Sequence, residues 1–202
     1  MAASATPHGA VPVGSLVSCA YNAKVTHYKI KSAYGTSIFF GDFVKFGDDN
    51  PNTTIQKDTG TSTATPVGIF LGCAYTDPTT KQFPPSQYFP ASTSASDIVA
   101  YVASDPFIIM QMQCDGAADQ DDLGKNVGIV QTAGSTDIGR SKNAVDISTV
   151  NTTATLPLKS IDFVDGPDSA VGDAYTDVLV TFNSQSAFGT GGHQLLSATG
   201  IG

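Results

Sequence analysis

The chain carries eighteen carboxylate side chains, and every one is an aspartate; there is no glutamate. Glutamate tolerates a helix well, whereas aspartate competes for backbone hydrogen bonds and favours turns. A chain of 202 residues that draws all its acid from aspartate is therefore not built from long helices. The other helix formers are sparse too: one arginine, three methionines and eight leucines, against twenty-eight valines and isoleucines. Forty-two serines and threonines, twenty glycines and eleven prolines supply turns and loops. These proportions exclude a helical bundle, a coiled coil and a helix-rich α/β enzyme. They predict a mainly β protein, a β-barrel or β-sandwich with long loops and extended terminal arms.

Net charge narrows the partners. A formal charge of −8 with nine lysines and Arg140 argues against nucleic acid, because phosphate neutralisation needs a basic surface. An anionic membrane is disfavoured for the same reason, and no apolar run reaches the ~20 residues of a membrane-spanning helix. Cys19, Cys73 and Cys114 are odd in number and lack CxxC spacing, so they read as small buried apolar residues in a reducing compartment. Leu16-Val17-Ser18-Cys19 has the look of a lipoprotein cleavage box. However, no lysine or arginine precedes it, and Pro7, His8, Gly9, Pro12 and Gly14 break the apolar stretch that an export signal needs. Without such a signal, Asn52-Thr53-Thr54 and Asn151-Thr152-Thr153 carry little weight as glycosylation acceptors.

Four segments are expected: an N-terminal arm over 1–15, a β half over 16–105, a second β half over 106–183 and a C-terminal tail over 184–202. The first half should begin with a pair of strands in 16–31. A strand over 38–46 is interrupted at Gly41-Asp42, where glycine suggests a bulge or bend. Residues 54–57 can pair back on it. In 67–75 the alternation places Val67, Ile69, Leu71, Cys73 and Tyr75 on one face and Gly68, Gly72 and Ala74 on the other. The proline- and aromatic-rich stretch 76–91 is too apolar for a simple linker and should pack on a neighbour. A single helical turn fits 92–97. Further strands are expected at 98–103, 107–114, 127–131, 144–150, 155–164 and 174–183.

Most catalytic signatures are missing. There is no HExxH, no GxSxG elbow, no P-loop and no GxGxxG before a helix. His8, His27 and His193 are scattered, and nothing singles out a nucleophile. No enzymatic activity and no cofactor are expected. The best metal candidate is Asp115, Asp119, Asp121 and Asp122, whose hard oxygens at short spacing suit Ca²⁺. The pattern lacks the closing bidentate glutamate of an EF-hand, so a solvated acidic turn is the favoured reading. Asp48, Asp49 and Asn50 form a smaller candidate. Such loops could also dock electrostatically on a lattice presenting lysine and arginine.

An ordered set of motifs carries a resemblance. They are Gly41-Asp42-Phe43-Val44, the run Val67 to Tyr75, Phe89-Pro90-Ala91-Ser92 and Ala100 to Pro106. Gly124-Lys125-Asn126, Gly139-Arg140-Ser141, Asp146 to Leu158, Gly172-Asp173-Ala174-Tyr175 and Val180-Thr181-Phe182-Asn183 continue it. Over 38–183 the chain resembles small structural proteins of tailed-bacteriophage virions, of the capsid decoration or cement type. The resemblance implies a β-rich homo-oligomer, dimer or trimer, assembled in the host bacterial cytoplasm. It implies binding to the major capsid protein on the outside of the shell, where bridging capsomers resists the pressure of packaged DNA. It transfers no catalytic residue. Phe83, Tyr88 and Phe89 in the 76–91 loop, with His8, Val11 and Val13 in the arm, are the expected inter-subunit contacts. Two other readings stay open: a tail, tube or adaptor protein, and a secreted or lipidated surface module that binds sugars.

Overall fold

A computed structural model describes residues 4–17, 24–47, 54–183 and 193–196. The candidates at Cys19, at Asp48-Asp49-Asn50 and in most of the 184–202 tail lie outside those residues. The fold is almost entirely β, with a closed five-strand barrel and additional sheets.

The barrel comes from the first half of the chain. Its strands are β2 (Val25–Ile30), β4 (Phe43–Phe46), β5 (Thr54–Lys57), β6 (Gly68–Ala74) and β9 (Val99–Ala103). They run in the order β4-β5-β2-β9-β6, and β6 pairs back onto β4 to close the ring. The β2–β5 pair is parallel; the others are antiparallel. Tyr28, Ile30, Val44, Phe46, Ile55, Phe70, Cys73, Ala100 and Val102 meet in one apolar cluster inside it. A short pair, β3 (Ile38–Phe39) with β8 (Tyr88–Phe89), adds Ile38 and Phe89 to that cluster, and β7 (Pro85–Ser86) lines the edge of β6.

The second sheet has the order β1-β10-β14-β13-β11-β12. It comprises β1 (Val11–Ser15), β10 (Ile108–Gln113), β11 (Asn126–Val130), β12 (Ala144–Asn151), β13 (Leu158–Phe163) and β14 (Asp177–Phe182). Its inner face (Ile108, Met110, Met112, Val127, Ile129, Val145, Leu158, Val178, Val180) packs against Phe43, Ile69 and Ala103 on the outside of the barrel. Strands β4, β6 and β9 thus serve two cores, one face in and one face out, as a period of two allows. At ~25 cal/mol per Å² of apolar area, burying each large side chain in these cores contributes roughly 1.5–3 kcal/mol.

Four expectations need correcting. The 1–15 segment is not wholly an arm: Val11–Ser15 is an edge strand paired antiparallel with β10, and Ala10 before it is fully buried. In β6 the single apolar face fails. The register shifts between Phe70 and Gly72, so Ile69 and Leu71 face the sheet while Phe70, Cys73 and Tyr75 face the barrel interior. Gly72 takes φ +141, which a side chain rarely adopts, and this conformation makes the bulge. Residues 92–97 contain no helix; a turn at 91–92 precedes β9. Among the described residues of 16–31 there is one strand after β1 ends, not two.

Candidate functional site

Three places in the fold concentrate polar, charged or exposed apolar groups: the buried joint between barrel and sheet, the acidic loops and the exposed apolar positions.

The joint centres on Asp42, whose side chain is fully buried. It follows Gly41, held at φ +88, at the bend between β3 and β4. One carboxylate oxygen accepts hydrogen bonds from Ser141 Oγ at 2.6 Å and Asn143 Nδ2 at 3.2 Å. The other accepts from the Phe39 backbone N–H at 2.9 Å and pairs with Lys57 Nζ at 2.9 Å. Asn143 Oδ1 in turn accepts from the Thr132 N–H, and the Gly9 N–H donates to the Asn143 carbonyl. Barrel and the loop before β12 therefore meet on one carboxylate, and the N-terminal segment joins them through the Asn143 and Gly41 carbonyls. All its acceptor positions are taken by protein, so it offers no open site for a ligand or a reacting group. Its work is to fix one unit against the other.

Within the described residues the 115–122 loop gathers no metal-ligand set. Asp115 Oδ1 accepts from the Ile147 N–H at 3.0 Å, a partner in β12 rather than in its own loop. Asp122 Oδ2 accepts from the Asp119 N–H, Oδ1 lies 3.4 Å from Lys125 Nζ, and the Asp119 carbonyl accepts from the Asp122 N–H. These contacts cap the 3-10 turn Gln120–Asp122. Among the described residues no three acidic, histidine or cysteine side chains converge to hold an ion. The Ca²⁺ candidate thus separates into a capped turn and a lone aspartate, because an extended loop spreads residues that lie close in sequence.

What the loops do build is a charged end. The Gly172 N–H donates to the Ala118 carbonyl at 2.9 Å, and the Ala118 N–H to Thr176 Oγ1 at 3.3 Å. The 115–122 loop is thereby joined to the 165–177 loop, and Asp115, Asp119, Asp121, Asp165 and Asp168 are exposed around them. The charge is segregated along the chain. Residues 24–105 carry six lysines against seven aspartates, while 106–183 carry four basic residues against eleven aspartates. The second sheet and its loops thus hold −7 of the net −8.

The expected contact residues divide. Phe83 is 55% exposed and Val13 43% exposed, so both are available. His8, Val11 and Tyr88 are half-buried, and Tyr88 stacks on Phe39 at 5.4 Å between ring centroids. Phe89 is a correction: it is fully buried against Tyr34 and Tyr75 in the barrel core and cannot touch a partner. Leu16, Val17 and Phe107 are exposed apolar residues that the sequence reading missed; the Leu16 N–H donates to the Phe107 carbonyl, which brings them beside Val13 at the β1 edge.

Nucleophilic chemistry finds no support in the two described thiols. Burial pushes both Cys73 and Cys114 up to about 12, so neither is a thiolate at neutral pH. A cavity of about 150 Å³ lies beside Cys114, lined also by Ala5, Pro7, Lys142 and Tyr175. Its roof is the N-terminal segment, held by Gln113, which accepts from the Thr6 N–H at 2.7 Å and donates to the Ser4 carbonyl at 3.1 Å. No protein-family model matches the chain, and neither a curated protein nor a solved structure does.

Proposed function

We propose that this chain is a structural protein of a tailed-phage virion, which binds the major capsid protein on the outside of the shell and bridges capsomers. The observation that carries the reading is the segregation of charge. A near-neutral barrel is fixed to a sheet bearing −7, and the exposed aspartates gather at one end of that sheet. Such a body has a preferred orientation toward a basic surface, since complementary potentials set approach and register. The exposed Phe83 and the apolar group at the β1 edge supply non-directional contact for a partner or a second copy. The sequence resemblance to cement proteins supports the same reading, and the acidic surface suits an exterior position away from packaged DNA.

The test is the composition of purified particles. A cement protein co-purifies with assembled heads at a fixed ratio to the major capsid protein. An adaptor or tube protein would instead be scarce and confined to the tail. Heads that lack the chain, or hold it only at tail ends, refute the proposal.

A further inference from the structure

Strand β14 ends at Phe182, and the described chain resumes at His193. The His193 side chain is almost wholly buried, with its ring edge-on to Phe182 at 5.0 Å between centroids. Its Nδ1 accepts the Leu195 N–H at 3.3 Å. Its Nε2 makes no hydrogen bond of good geometry, although the Val67 backbone lies near enough to favour a proton there. Gln194 makes the stronger contacts: its N–H donates to the Pro66 carbonyl at 2.9 Å, and its Oε1 accepts from the Phe46 N–H at 2.7 Å. Residues 193–196 therefore bind the end of β4, the entry to β6 and the end of β14 together. That is the seam where Phe43 of the barrel meets Phe182 of the sheet, 6.0 Å apart.

A neutral imidazole suits this place and a protonated one does not. Once both ring nitrogens are donors, Nδ1 can no longer accept from Leu195, and a buried charge appears among apolar groups. Around the ring, Asp105 favours the proton and Lys24 opposes it. Strand β4, the residue before β6 and strand β14 present Phe46, Val67 and Phe182, none of which titrates. Asp105 is already engaged with Ser15 Oγ and the Phe107 N–H, so among the described residues no free carboxylate beside the ring waits to pair with an imidazolium.

We propose that residues 193–196 are an acid-releasable latch across the seam between barrel and sheet, closed while His193 is neutral and opened by its protonation. Burial pushes the His193 imidazole down to about 4 in the closed latch, against about 6.5 for an exposed one. Between those two values each unit of acidification raises the open population about tenfold, to a few hundredfold across the window. The device is independent of the capsid reading and holds or fails by itself.

The test follows the backbone amide signals of Phe46, Gln194 and Leu195 in the full chain by NMR from about pH 7 to about pH 3.5, together with the His193 ring signal. Expected is a concerted change of the three amides that tracks ring protonation, while Val102 and Val180 in the two cores keep their native signals. His193→Phe, and His193→Gln as the more conservative change, should hold the latch closed over the same range. Three results overturn the proposal: a ring that titrates near its ordinary value with the latch still closed, amides unchanged until the cores unfold, or release in the variants at the wild-type pH. The ring titration needs only the wild-type chain, so a variant that fails to fold leaves the test intact.

Discussion

Replacing Asp42 by asparagine keeps the shape of the side chain and removes its charge, which isolates what the joint contributes. Both carboxylate oxygens face donors: Ser141 Oγ and Asn143 Nδ2 on one side, the Phe39 N–H and Lys57 Nζ on the other. An asparagine amide must turn its NH₂ toward one of these pairs. The Asn143 amide cannot flip in response without losing its bond from the Thr132 N–H. Lys57, whose side chain is only 10% exposed, is left without its counter-charge. Breaking a buried pair by removing one partner costs about 3–5 kcal/mol. The expected loss for Asp42→Asn is of that size, a fall in melting temperature of roughly 10 °C for a chain of this length. Lys57→Met should cost less, because Asp42 keeps three donors. The double variant should be more stable than the two single losses added together imply, by at least about 1 kcal/mol of coupling. Urea unfolding of the four proteins at neutral pH measures this through the midpoint, with an unchanged m-value as the check that only stability moved. An Asp42→Asn variant within about 1 kcal/mol of wild type, or strictly additive changes, would refute the assignment of Asp42 as the joint.

Other outcomes follow from packing and titration. Gly68→Ala places a methyl group against the Ala103 backbone and Val102 Cγ1, and should lower stability by about 1–3 kcal/mol or more in thermal melts. Met110→Ala empties a fully buried position in the core shared by barrel and sheet, an expected loss of about 2–5 kcal/mol in urea. With Cys19→Ser to silence the thiol outside the described residues, no thiol should react with a disulfide reagent in the folded state, and two should react in denaturant. His193 also sets a global pH slope. Its folded value is depressed, so the unfolded chain binds the extra proton. Its contribution is complete above about pH 6.5 and is lost as pH falls toward 4, up to about 3 kcal/mol, and His193→Phe should remove that slope from acid-unfolding curves.

The absence of glutamate proved an accurate guide to the architecture for a local reason. Asp58, Asp77, Asp105 and Asp146 each accept a hydrogen bond from the backbone N–H two residues on, a reach suited to the short side chain of aspartate. Strand positions in the second half were equally legible, because β10, β11 and β13 alternate against one core. What was hidden depends on distant partners. No local pattern marks Val11–Ser15 as a strand: Pro12 and Gly14 weaken it, and its pairing comes from β10, nearly a hundred residues away. The bulge at Gly72, which divides Ile69 and Leu71 from Cys73 and Tyr75, needs only one extra residue, and so it leaves the apparent alternation intact in sequence while reversing the faces. The Asp42 joint was invisible for the same reason, since Ser141 and Asn143 lie about a hundred residues from it. The aspartates grouped by sequence at 115–122 looked like a ligand set, yet backbone N–H groups already occupy the carboxylates of Asp115 and Asp122.

Segregated charge gives the docking proposal a direction and so a sharp test. If the acidic end of the second sheet faces the shell, Asp119, Asp121, Asp165 and Asp168 act together as an exposed field. Changing all four to asparagine leaves turn chemistry available and should move stability little, as surface changes usually stay within about 0.5 kcal/mol. Rim charges act mainly on association rate and salt dependence, so the variant should bind heads more slowly and with a flatter response to salt. Near 1 M salt, where the screening length is about 3 Å, it should converge on wild type. Asp77→Asn with Asp97→Asn neutralises one half-buried and one exposed carboxylate on the near-neutral barrel half and serves as the control. If the barrel variant weakens attachment as much as the sheet variant, orientation is not set by the acidic end. If both bind as wild type does at every salt concentration, attachment is apolar, and the exposed residues beside β1 become the surface to change next.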